Sequence, residues 1–113
     1  MPRIEYNKLV RDKIPEIIVK DGCTPKVKIL SQEDFEKALR EKFVEESKEL
    51  ELSKTKEDTI KELSDLEELI RSLTKLVGSS FDEVESVRLK RLTDRGGFEK
   101  KLFLEYVDEP DKT

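Results

Sequence analysis

The chain has 113 residues, of which 35% are hydrophobic and 44% charged, and its formal net charge is −4. This length predicts one domain, 1–113, with a single core and no roomy ligand cavity of its own, so oligomerisation is a reasonable expectation. The negative charge argues against nucleic acid or an anionic membrane as a partner of the whole chain.

The residue types that the sequence lacks also limit its possible chemistry. With no histidine and one cysteine, Cys23, the chain cannot form a typical zinc site, a histidine-based triad or an intramolecular disulfide. The N-terminal sequence lacks the apolar segment of a signal peptide, and no apolar run approaches the roughly 20 residues that cross a bilayer. We therefore expect a cytoplasmic protein whose reactive groups are carboxylates, Lys, Arg or a hard metal ion.

The apolar pattern, taken in chain order, predicts a mainly α-helical fold with a small two-stranded β-ribbon. A short helix is expected to begin near Ile14, because Pro15 suits a first helical turn, and to end before Gly22. Residues 25–30 alternate as in a strand, and residues 101–107 are the expected partner.

Three long helices are predicted between those strands, each opened by a capping box. The boxes pair Ser31 with Asp34, Thr55 with Asp58, and Ser80 with Glu83. The first helix is expected to end near residue 52, the second to span 56–77, and the third to end near residue 94.

Carboxylates interrupt the apolar faces of the first two long helices. On a helical wheel of the second helix, Glu62 lies inside the apolar face and Asp65 on its rim. On the first helix, Glu46 occupies the one missing turn of the apolar stripe, and Glu49 flanks it. If the two helices pack antiparallel, these four acids can converge.

Such a cluster needs compensation, because each like-charge pair at about 7 Å repels by about 2 kcal/mol at an effective dielectric of about 20. A site made only of oxygens suits Mg²⁺ or Mn²⁺. A structural alternative stays open, in which Glu46 and Glu62 bind Arg or Lys from a neighbouring helix. The three-residue spacing between acids does not decide between a metal site and structural ion pairs, because Glu33 and Glu36 have the same spacing.

The third helix carries a complementary basic pattern. Arg88 lies between Phe81 and Leu92 on the wheel, with Arg91 and Arg95 on the same side. Guanidinium groups beside an acidic metal cluster would suit the oxygens of a triphosphate. They would equally suit neutralisation of the acids.

The acidic segments resemble a known family. Residues 42–50, KFVEESKEL, followed by residues 62–66, ELSDL, resemble the ExxE…ExxD signature of MazG-like all-α nucleoside triphosphate pyrophosphatases. Residues 7–15, NKLVRDKIP, and residues 95–98, RGGF, resemble the flanks of a phosphoribosyl-ATP pyrophosphohydrolase-like subgroup. The resemblance covers nearly the whole chain.

The resemblance implies an antiparallel helical bundle of the all-α NTP pyrophosphatase type, assembled as a homodimer or homotetramer. It implies hydrolysis of nucleoside triphosphates, with modified ones among the candidates, to the monophosphate and pyrophosphate in nucleotide-pool cleansing. It further implies that Mg²⁺ is bound by four acids: Glu46, Glu49, Glu62 and Asp65.

Roles for individual residues follow from the resemblance and the chemistry together. Glu46 or Glu49 is the candidate to orient or deprotonate the attacking water, because no histidine can do so. The candidate phosphate contacts are Arg91 and Arg95 first, then Arg88, with Arg11 and Lys13 as second choices. The alternatives are a phosphoribosyl-ATP pyrophosphatase of histidine synthesis and a non-catalytic helical interaction module.

Overall fold

The computed structural model describes residues 2–111, and the regular structure in that range is helical. The helices are α1 (Ile14–Lys20), α2 (Gln32–Leu52), α3 (Lys56–Leu76) and α4 (Phe81–Arg95). The predicted mainly α-helical fold is confirmed. No helix between residues 2 and 111 combines the length and the apolar character that crossing a lipid bilayer requires.

Side-chain caps fix where α2 and α3 begin. The Ser31 hydroxyl accepts a hydrogen bond from the Asp34 backbone N–H at 3.2 Å, and the Thr55 hydroxyl accepts one from the Asp58 N–H at 3.1 Å. Each cap satisfies a backbone donor that the first helical turn leaves without a partner. After α3, Gly78 adopts a φ of 79°, a left-handed conformation that glycine tolerates without strain.

Helices α2 and α3 pack against each other as an antiparallel hairpin. Only residues 53–55 separate them, and so short a connection makes the second helix return along the first. The Ser53 and Thr59 hydroxyl groups lie 2.9 Å apart and hydrogen bond across this turn. Each helix has 21 residues, a length of about 32 Å.

The core of the hairpin is small. Leu39 of α2 is 2% exposed and Leu66 of α3 is 9% exposed. Thr74 is also buried, and its hydroxyl donates to the Ile70 carbonyl at 2.6 Å, so burial leaves its polar atom satisfied. Many other apolar side chains of the hairpin are only half-buried.

The chain divides into two units, with the boundary between Phe81 and Asp82. The first unit contains α1 and the α2–α3 hairpin. The second contains most of α4 and the segment that follows it, and none of its residues from 82 to 111 is buried. Large apolar side chains of this segment, such as Phe98 and Phe103, are almost fully exposed.

The predicted β-ribbon is wrong for both segments, which contain no strand. Alternation predicts a strand only where one face is covered and the backbone finds a partner, and a two-stranded ribbon alone is marginal in water. In residues 25–30, Ile29 is fully exposed. In residues 101–107 both faces are exposed, and Lys101 has a φ of 58°, which is outside the strand region.

Replacing Leu39 tests the hairpin core. We expect Leu39→Ala to lower the free energy of unfolding by about 2–5 kcal/mol, because truncation removes buried methyl groups and leaves a cavity. Leu52→Ala is the control, since Leu52 is 72% exposed, and we expect a change within about 0.5 kcal/mol. Urea denaturation followed by circular dichroism measures both, and equal losses would contradict this core.

Candidate metal centre

The α2–α3 hairpin brings carboxylates from its two helices together. Glu46 of α2 and Glu62 and Asp65 of α3 each place one oxygen within 4.8 Å of the others. We call these three residues the acid cluster. All three are partly buried, whereas Glu49, one turn beyond Glu46, is exposed and lies outside this set.

Glu62 is the most constrained member of the cluster. Its Oε2 atom is buried and, within residues 2–111, has no hydrogen-bond donor. Contact with the carboxyl group of Glu46, burial, and the negative charges of Glu46, Asp65 and Glu49 all raise the pKa of Glu62. Two facing carboxyl groups hydrogen bond only when one is protonated, so this pair needs either a proton or a cation between its oxygens.

Basic side chains compensate the other two members. Lys42 Nζ lies 3.6 Å from Glu46 Oε1, one helical turn away on α2. Arg11 Nη2 donates a hydrogen bond of 2.8 Å to Asp65 Oδ1. Among the residues that the structure describes, no Lys or Arg forms an ion pair with Glu62, so Glu62 is the member of the cluster without a basic partner.

The predicted basic residues have different environments. Arg88 binds Glu85 on its own helix, with an Nε to Oε1 distance of 2.8 Å, and this contact lowers the pKa of Glu85. Arg91 and Arg95 are exposed on α4, in the second unit. Lys13 is exposed at the N-cap of α1. Of the predicted phosphate contacts within the first unit, Arg11 is the one that contacts the acid cluster.

Two shallow surface grooves in the first unit lie elsewhere. One is lined by Leu30, Phe35 and Leu76 among others, and the second by Arg71 and Phe81 among others. Neither groove shares a residue with the acid cluster. The cluster is therefore identified by its charges and its buried oxygen.

The donor set fits a hard divalent cation. Carboxylate oxygens are the ligands that Mg²⁺ and Mn²⁺ prefer, and Mg²⁺ keeps several waters, so a few protein oxygens suffice. The donor-free Oε2 of Glu62 is a group that such an ion would satisfy. Glu46 and Asp65 are close enough to share the same ion.

Sequence reasoning did not identify the counter-ions. Lys42 and Glu46 are four residues apart on one helix, a spacing that typically brings unlike charges together, so that ion pair had a local signal. Arg11 and Asp65 are 54 positions apart. No pattern in a single sequence predicts such a contact.

The raised pKa of Glu62 makes metal-free stability depend on pH. The folded chain binds the Glu62 proton more tightly than the unfolded chain does, so protonation of Glu62 adds to the free energy of unfolding. This stabilisation is fully present below about pH 4.5, the ordinary pKa of a glutamate, and is lost as the pH rises through the raised pKa of Glu62. Glu62→Gln stays neutral at every pH. Without divalent ions, we expect Glu62→Gln to be more stable than the original chain at pH 7.

The comparison uses urea denaturation in a chelating buffer at pH 7 and near pH 4.5, where the advantage of Glu62→Gln should shrink. Glu67→Gln is the matched control, because Glu67 is an exposed carboxylate on the same helix. An advantage that is the same at both pH values, or absent from both, would contradict the assigned environment of Glu62.

Comparison with known proteins adds no assignment to this geometry: no protein-family model, curated protein or solved structure matches the chain.

Proposed function

We propose that the protein is a Mg²⁺-dependent nucleoside triphosphate pyrophosphohydrolase of the MazG-like type. The observation that carries the proposal is the acid cluster of Glu46, Glu62 and Asp65, in which the buried Oε2 atom of Glu62 has no hydrogen-bond donor. The segments KFVEESKEL and ELSDL, which contain these acids, resemble the family signature. The substrate is a nucleoside triphosphate, and the products are the monophosphate and pyrophosphate.

Glu46, Glu62 and Asp65 are the residues that would hold the ion, with Glu49 as a fourth acid from the next turn of α2. Mg²⁺, or Mn²⁺ in its place, would supply Lewis-acid stabilisation of the phosphate oxygens and lower the pKa of a water molecule. Because the cluster spans both helices of the hairpin, its geometry depends on the packing of α2 on α3.

Water is the nucleophile in this proposal, and no covalent intermediate forms. Glu46 or Glu49 accepts a proton from the water as its oxygen bonds to the phosphorus that joins the nucleoside to the leaving pyrophosphate. The bond from that phosphorus to pyrophosphate breaks. The exposure of Glu49 leaves its carboxylate accessible to a water molecule, whereas Glu46 is largely buried beside Lys42.

Basic residues would bind the phosphate groups. Arg91 and Arg95 are the first candidates, since both are exposed, and charge-assisted hydrogen bonds from guanidinium groups suit phosphate oxygens. Arg88 already binds Glu85, and Arg11 already binds Asp65, so each would have to exchange a carboxylate for a phosphate. Lys13 is the remaining candidate.

We further propose that the enzyme works in the cytoplasm as a homodimer or homotetramer that cleanses the nucleotide pool. The exposed apolar side chains of the second unit, including Phe98, Leu102 and Phe103, favour an assembled state, because large exposed apolar surfaces typically mark interfaces. A phosphoribosyl-ATP pyrophosphatase would share the metal centre and differ in the base and ribose that it binds.

A non-catalytic interaction module is the second candidate function, and a specific observation favours it. Lys42 and Arg11 already compensate Glu46 and Asp65, as expected if the acids served only to join structural elements. This reading leaves the buried Oε2 of Glu62 without a role. It also predicts that divalent ions have no effect on the protein.

Removing a cluster carboxylate tests the enzymatic proposal. We expect Glu46→Gln and Asp65→Asn each to lower kcat for pyrophosphate release by about a hundredfold or more while the helices remain formed, because each removes a charged ligand. Glu68→Gln, which changes an exposed acid of α3, should retain activity. The assay measures pyrophosphate release, with Mg²⁺ present, from nucleoside triphosphates that carry canonical or modified bases. Unchanged turnover in both cluster variants would refute the proposal.

A second substitution tests the phosphate contacts. We expect Arg91→Ala to raise KM by about 10- to 100-fold, the equivalent of one or more charge-assisted hydrogen bonds. Lys90→Ala removes the neighbouring exposed charge and should leave KM nearly unchanged. Equal effects of the two substitutions would indicate a general charge effect instead of a contact by Arg91.

A further inference from the structure

An N-terminal arm, defined as residues 8–13, is connected to the hairpin by two ion pairs, one of which is made with the acid cluster. Arg11 binds Asp65 on α3 at 2.8 Å, and Lys8 Nζ lies 3.9 Å from Glu45 Oε1 on α2. The arm is not helical, and the Arg11 carbonyl accepts a hydrogen bond from the Ile14 N–H at the start of α1. The arm therefore contacts α1 through a backbone hydrogen bond and contacts the hairpin through the ion pairs of Lys8 and Arg11.

The two counter-ions of the cluster differ in how easily they can leave. The Lys42 side chain is 20% exposed and extends from a helical position beside Glu46, whereas the Arg11 side chain is 60% exposed and extends from the arm. The Arg11 guanidinium can therefore move into solvent without opening the hairpin core. Exposed ion pairs of this kind are weak and easily exchanged.

A divalent ion and Arg11 would compete for the same carboxylate. Asp65 is a member of the acid cluster and is also the partner of Arg11. A doubly charged ion held by Asp65 and Glu62 would lie close to the guanidinium, and the like charges would repel. Since the ion gains Glu46 and Glu62 in addition to Asp65, it has more ligands in the cluster than Arg11 has.

We infer that Arg11 is a displaceable counter-ion: it occupies Asp65 when the cluster holds no divalent ion, and it is expelled when the ion binds. Its released guanidinium is then free to bind an anion, and the phosphate groups of the substrate are the anion that the proposed function supplies. This inference rests on the proposed function, because it requires that the acid cluster binds a divalent cation. Beyond that function, the inference states that the divalent ion replaces Arg11 at Asp65, which couples the arm to the metal centre.

The exchange can be observed directly by NMR on the full chain labelled with ¹⁵N-arginine. The Arg11 side-chain Nε–Hε signal is identified by its absence in Arg11→Gln. On addition of Mg²⁺ we expect this signal to move to the position of a solvated guanidinium. Asp65→Asn, which removes the partner charge, should give that position without Mg²⁺ and show little further change.

Metal affinity gives a second readout that does not depend on activity. Mn²⁺ alone is titrated into the protein, and free Mn²⁺ is measured by electron paramagnetic resonance. We expect Arg11→Gln to bind Mn²⁺ about two- to fivefold more tightly, since the ion no longer displaces a guanidinium. Lys8→Gln is the matched control, because it removes one charge from the same arm, and its partner Glu45 is outside the acid cluster.

The outcomes separate the inference from the proposed function. If Mn²⁺ binds, Glu62→Gln weakens that binding, and the Arg11 signal does not move with Mg²⁺, the inference is overturned and the metal centre stands. Equal tightening by Arg11→Gln and Lys8→Gln would also overturn it, because a general charge effect would then suffice. If neither ion binds the original chain, the inference and the proposed function both fail.

Discussion

The repulsion among Glu46, Glu62 and Asp65 is the constraint on which the rest of this account depends. Three carboxylates with oxygens within 4.8 Å of one another, one of them bearing a buried oxygen without a donor, need added positive charge or a proton. The chain supplies only part of that charge, through Lys42 and Arg11. The remaining deficit lies at Glu62, where the pKa is raised. A proton shared with Glu46, or the divalent cation that we propose, would compensate this deficit.

The hairpin makes the cluster possible. Side-chain caps and a three-residue connection set the register of α2 against α3, and this register brings Glu46 opposite Glu62 and Asp65. The core beneath them is small, with Leu39 and Leu66 its most buried apolar side chains. Packing and electrostatics therefore act on the same two helices, since the acids occupy turns where apolar residues would otherwise enlarge the core.

Helical periodicity accounts for what could be predicted from the sequence. The observed ends of α2 and α3 agree with the predicted ones within one residue, and the half-buried positions of Glu46 and Glu62 follow from their places in the apolar stripes. The ribbon could not be predicted reliably, because alternation does not reveal whether a partner covers the strand. The pairing of Arg11 with Asp65 joins residues 54 positions apart, and a contact of that kind depends on the fold.

We propose that the acid cluster binds a divalent cation, and crystals soaked in Mn²⁺ would show this ion directly. Anomalous scattering at an energy near the manganese absorption edge locates the ion independently of any assumed site. We predict one strong anomalous peak at direct coordination distance from oxygens of Glu46, Glu62 and Asp65, with the Glu62 oxygen no longer without a partner. A map without a peak at the cluster, with Glu46 and Glu62 joined by a shared proton, would contradict the account.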